Sequence, residues 1–86
     1  MPRASQDFGA SLWDIVWKVV DTGQTEVKVK TRSEALALRK DFYKLREALW
    51  DEGKRELFHR LQMVKTRIVF NETSVQLEFT SAKEGK

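Results

Sequence analysis

Arginines and large aromatics recur at Arg39, Tyr43, Arg46 and Trp50, at spacings of four, three and four residues. On a helix those intervals stack the four side chains into one column. Such a column presents much contact area for little lost side-chain freedom, and a guanidinium pairs well with carboxylate or phosphate. The chemistry is recognition, not bond making, and the expected site is a partner-binding ridge. The structural alternative is that Tyr43 and Trp50 widen a small core, with the arginine stems packed beside them and their charged heads in water.

A second group is purely cationic. Lys18, Lys28, Lys30, Lys65 and Arg67 fall on one face of the expected strands and would present positive charge to a phosphate backbone. Nucleic-acid-binding sheets generally add exposed aromatics for base stacking. By alternation Trp13, Trp17 and Phe70 fall on the core side, so this group is the alternative site and the ridge the preferred one.

Catalytic chemistry finds little to work with. Asp21-Thr22-Gly23 resembles the triplet of aspartic proteases, in which two aspartates share a proton across a dimer interface. The resemblance covers three residues and departs at once, because Gln24 stands where a small residue is expected and no second apolar strand ends in glycine. A turn explains the same three letters. His59 is the single histidine and there is no cysteine, which removes histidine clusters, thiolate metal sites and thiol nucleophiles. Asp51, Glu52 and Glu56 surround a glycine among Lys54 and Arg55 and read as exposed helix-end charges. The four glycines are isolated, so no phosphate-cradling loop is present. The expectation is a non-enzyme with no catalytic residue, no metal and no cofactor.

The elements that must carry these residues follow from periodicity. Residues 1–11 read as a flexible arm. Between Leu12 and Val20, Trp13, Ile15, Trp17 and Val19 alternate with other residues, the period of a strand. Asp21 to Gln24 then supplies a turn, with Gly23 taking positive φ. Thr25 to Lys30 alternates again and completes a first hairpin. Thr31-Arg32-Ser33-Glu34 is a capping box, opening a helix whose apolar stripe is Ala35, Leu38, Phe42, Leu45 and Leu49. It runs to about Glu52 and stops at Gly53. Lys54 to Met63 has room for one or two helical turns. Val64–Phe70 and Val75–Phe79, around a polar turn, form a second hairpin.

The expected fold is therefore α+β: two antiparallel hairpins flank one long helix (β-β-α-β-β), and the helix packs on one face of a four-stranded sheet. The single domain spans 12–80, and 81–86 is a flexible tail.

Composition limits the function classes. The chain has 86 residues, 41% of them hydrophobic and 34% charged, enough for one core. No apolar run suits a signal peptide or a membrane span, and without cysteine a reducing, cytoplasmic setting is the simpler expectation. Asn71-Glu72-Thr73 matches a glycosylation acceptor but lacks an export signal beside it. The net charge of +3 leans toward acidic partners without deciding among them. The preferred reading is a small non-catalytic protein-binding module, a regulator or inhibitor, which uses the Arg/aromatic ridge and an exposed sheet edge against a protein partner or a second copy of itself. Nucleic acid is the alternative partner; a membrane is not expected.

Overall fold

Leu12, Ile15, Val16 and Val19 are all buried on one side of a helix. This is the main correction to the expected fold. The computed structural model describes residues 4–81; residues 1–3 and 82–86, the outer parts of the expected arm and tail, lie outside the described residues. After a 3-10 turn at Ser5–Asp7 the elements are α1 (Ala10–Thr22), β1 (Gln24–Val29), α2 (Arg32–Asp51), α3 (Arg55–Gln62), β2 (Val64–Phe70) and β3 (Val75–Ser81). The class is α+β, but the described residues form three α-helices and a three-stranded antiparallel sheet. The four-stranded sheet with one helix between two hairpins is not formed.

The reason lies in how apolar the segment is. Leu12, Trp13, Ile15, Val16, Trp17, Val19 and Val20 satisfy a period of 2 and a period of 3.6 alike, and the i, i+3, i+4, i+7 set of Leu12, Ile15, Val16 and Val19 is the one that becomes buried. Gly23 takes positive φ, 89°, as expected of it, but as the left-handed stop of α1, its N–H donating to Val19 O at 2.9 Å. The arm residues Ser5 and Phe8 are buried and belong to the folded unit.

α2 begins at the capping box. One half of the box forms as expected, the Glu34 N–H donating to Thr31 Oγ1 at 3.2 Å; in the other half the Glu34 carboxylate accepts from the Lys30 N–H at 2.9 Å, one residue before the Thr31 N–H the pattern implies. The helix closes before Gly53, at φ 79°. The two turns of α3 then lead into the hairpin of β2 and β3.

Strand order is β1-β3-β2, so the last strand lies in the middle. Register puts Val27, Leu77 and Ile68 in one row and Thr25, Phe79 and Thr66 in the next. These rows face the helices. Phe42 of α2 meets Phe79 with ring centroids 5.0 Å apart, and Leu45, Leu49, Leu61, Leu77, Val16 and Val19 close the core around them. Each such side chain, fully buried, stabilises the fold by roughly 1.5–3 kcal/mol. The opposite sheet face is open to solvent.

Candidate functional site

The Tyr43 hydroxyl lies 3.2 Å from Thr66 Oγ1, which fixes where the α2 ridge sits. Only two residues join β1 to α2, so α2 starts at the Val29–Val75–Phe70 end of the sheet. It rises about 1.5 Å per residue against about 3.3 Å for a strand. Tyr43 meeting Thr66 therefore means that α2 runs back along β2, with Arg39 toward Phe70 and Arg46 toward Val64.

The ridge is not uniform. Tyr43 is half-buried against the core, and the Arg46 guanidinium covers its ring at 4.9 Å. Arg39 is half-buried, with no ion pair among the described residues. Trp50 is 42% exposed. It packs against Phe58 of α3 at 5.0 Å, and Arg55 lies over its ring at 4.3 Å. Tyr43 thus widens the core while Trp50 remains at the surface.

β2 is an edge strand whose outer side pairs with no strand among the described residues. The phase of its ladder can be read from the turn. Hydrogen-bonded and non-hydrogen-bonded pairs alternate in antiparallel sheets, and the Asn71 N–H donates to Ser74 O at 2.9 Å. Lys65, Arg67 and Val69 thus direct their backbone groups to β3, while those of Thr66, Ile68 and Phe70 point outward. The bond from the Ser81 N–H to Gly23 O, 2.8 Å, agrees in phase. Phe70 is 61% exposed, although its row is the helix-facing one.

The five cations of the second group do not assemble. Lys18 sits on α1, away from the sheet, because its segment is helical. Lys30 lies in the β1–α2 connection. Lys28 is on β1 while Lys65 and Arg67 are on β2, so β3 separates them by two strand spacings, about 10 Å. The middle row of that face pairs Glu26 with Glu78 and Glu78 with Arg67. The Gln76 side-chain amide lies 2.9 Å from the Glu26 carboxylate and 3.4 Å from that of Glu78, and Arg67 approaches Glu78 at 3.9 Å. Two carboxylates therefore occupy the middle of the surface expected to be basic.

The residues with catalytic letters lie on, or cap, three different elements. Asp21 is exposed in the last turn of α1, and the Thr22 hydroxyl lies 2.7 Å from Lys18 O, closing that turn. His59 is exposed, 3.4 Å from Gln62 Oε1. The Glu52 carboxylate accepts from Ser5, whose N–H and hydroxyl, in that order, hold it below its ordinary value, with Lys54 at 3.4 Å acting the same way and partial burial opposing. Among the described residues no three His, Cys, Asp or Glu side chains gather as a metal site, and no helix is long and apolar enough to cross a membrane.

A groove between α1 and α3 is lined by Trp17, Val20, Leu57 and Arg60. Trp17 is 53% exposed there and stacks on Trp13 at 5.6 Å. Alternation assigned Trp17 to the core, and its exposure follows from the helix that replaced the strand. Thr66 was also missed, though a signal existed: it is the one hydroxyl in the inward series Val64, Thr66, Ile68, Phe70, and a half-buried hydroxyl needs a partner.

The structure therefore brings Arg39, Tyr43 and Arg46 together with Lys65 and Arg67 around one open strand edge, and leaves Lys18, Lys28 and Lys30 elsewhere. No family model, curated protein or solved structure matches the chain.

Proposed function

We propose that this chain is a small non-catalytic protein-binding module that takes its partner along the border between α2 and β2. The observation that carries the reading is the Tyr43–Thr66 contact, because it merges the Arg/aromatic ridge with an edge strand. Edge strands offer unpaired N–H and C=O groups, and arginine and aromatic side chains dominate the energetics of protein interfaces. Trp50 extends the same border toward α3.

The nucleic-acid alternative is less well supported by this geometry. A phosphate backbone crossing the open sheet face would meet Glu26 and Glu78 between the cations, and no aromatic stands on that face for base stacking.

The test is capture of partners with the whole chain as bait. A protein bound by the wild type should be lost with Arg39→Glu plus Arg46→Glu and kept with Lys28→Glu, which lies on the far edge. Loss with Lys28→Glu alone would refute the assignment of the site.

A further inference from the structure

We propose that the partner contributes an acidic extended segment that adds to the outer edge of β2 as a fourth strand. This rests on the module reading above and specifies its partner.

Backbone geometry comes first. The N–H and C=O groups of Thr66, Ile68 and Phe70 point away from β3, as the phase set by the Asn71–Ser74 bond requires. They form a ready template for an incoming strand, whose main-chain bonds supply affinity while alternate side chains supply specificity. Exposed Phe70 gives that strand an apolar foothold at one end.

Charge then selects the partner. Lys65 and Arg67 flank the edge on the open side, and Arg39 and Arg46 on the helical side. Lys65 and Arg39 have no ion pair among the described residues, and the contact of Arg67 with Glu78 is long at 3.9 Å. Among the carboxylates of these elements, Glu47 follows Arg46 in α2, Glu78 opposes Arg67 in β3 and Glu72 lies in the turn after Phe70, against the four cations that flank the edge. An incoming strand presents alternate side chains to the open side, where carboxylates would face Lys65 and Arg67.

The same charges disfavour a second copy at this edge. Two β2 strands related by a two-fold axis through the strand would set the Lys65/Arg67 row against itself, and like charges placed opposite each other are destabilising. Lysine and arginine on an edge strand are a known defence against self-pairing. A partner of opposite charge turns that defence into recognition.

The experiment uses labelled synthetic peptides as long as β2: one alternating Val and Glu, one alternating Val and Lys, and a Val/Glu peptide N-methylated at its Val residues, whose amides would face β2 when the Glu residues face Lys65 and Arg67. A single-stranded oligonucleotide is the fourth probe. Binding is followed by fluorescence anisotropy, and amide hydrogen exchange is read residue by residue. The expected result is saturable binding of the Val/Glu peptide with slowed exchange at Thr66 and Ile68. Lys65→Glu should weaken it roughly two- to tenfold, since losing an exposed charge pair costs up to about fivefold and the reversed charge adds repulsion. N-methylation should weaken it by about tenfold or more, since it removes donors while keeping every charge.

Equal binding of the Val/Lys or the N-methylated peptide would overturn the proposal, as would an oligonucleotide that occupies the Lys65 and Arg67 side chains while the Val/Glu peptide does not bind. If partner capture depends on Arg39 and Arg46 but the Val/Glu peptide leaves the Thr66 and Ile68 amides unchanged, the module reading stands and the acidic strand falls. If the peptide protects those amides but capture ignores the two arginines, the strand stands and the helical half of the module reading falls.

Discussion

Ser5 donates twice to Glu52, from its N–H to one carboxylate oxygen and from its hydroxyl to the other, each at 2.7 Å across 47 residues of sequence. Trp13 Nε1 in turn donates to Ser5 O at 3.0 Å. Ser5 thereby ties the N-terminal turn to α1 and to the end of α2. Because the folded carboxyl is held below its ordinary value, near 4.5, its contribution is whole above that value and is lost as pH falls through the depressed one. Glu52→Gln and Ser5→Ala should lower the urea midpoint at neutral pH, and the gap from wild type should shrink in acid below the carboxylate range. Equilibrium denaturation at the two pH values checks this.

Gly53 holds φ at 79°, and a Cβ there would meet nothing within 4 Å. Gly53→Ala therefore tests backbone strain alone and should destabilise by about 1–2 kcal/mol. Gly53→Asn should cost less, since asparagine tolerates the left-handed region. Thermal unfolding of the pair separates strain from packing.

Tyr43 and Trp50 should respond differently to truncation. Tyr43→Phe removes one hydrogen bond, to Thr66, and should cost about 0.5–1.5 kcal/mol. Trp50→Ala should leave a folded domain, because the ring is 42% exposed and packs on the surface of α3. Near-UV circular dichroism with denaturant titration distinguishes the two.

Phe42→Ala should be far more severe. Its ring is fully buried against Phe79, and losing it should cost about 3–5 kcal/mol. A domain of this size holds roughly 4–13 kcal/mol in total, so the variant should lose about a quarter or more of its stability, read as a large drop in the urea midpoint at ambient temperature.

Glu26 and Glu78 face each other across β1 and β3. Glu26→Lys replaces a like-charge pair with an opposite one and should stabilise the sheet by about 0.2–1 kcal/mol at low salt, less at high salt. A rise in melting temperature that fades with added salt is the expected outcome.

What the sequence by itself determined is local. The Thr31/Glu34 capping box and Gly53 bound α2, because a cap and a left-handed stop act within one helical turn. The polar turn at Asn71–Ser74 and the alternation on either side defined β2 and β3, and with them which of their residues share a face. The spacing that stacked Arg39, Tyr43, Arg46 and Trp50 was legible for the same reason.

Tertiary structure alone decided the rest. Leu12 to Val20 is so apolar that no local pattern separates strand from helix, and burial against β1 and β3 made the choice. The central position of β3 is equally non-local, since strand order depends on which apolar faces pack together across the whole chain. That choice dispersed the cations read as one face, and it carried Tyr43 to Thr66, so that two separate sequence signals meet at one strand edge.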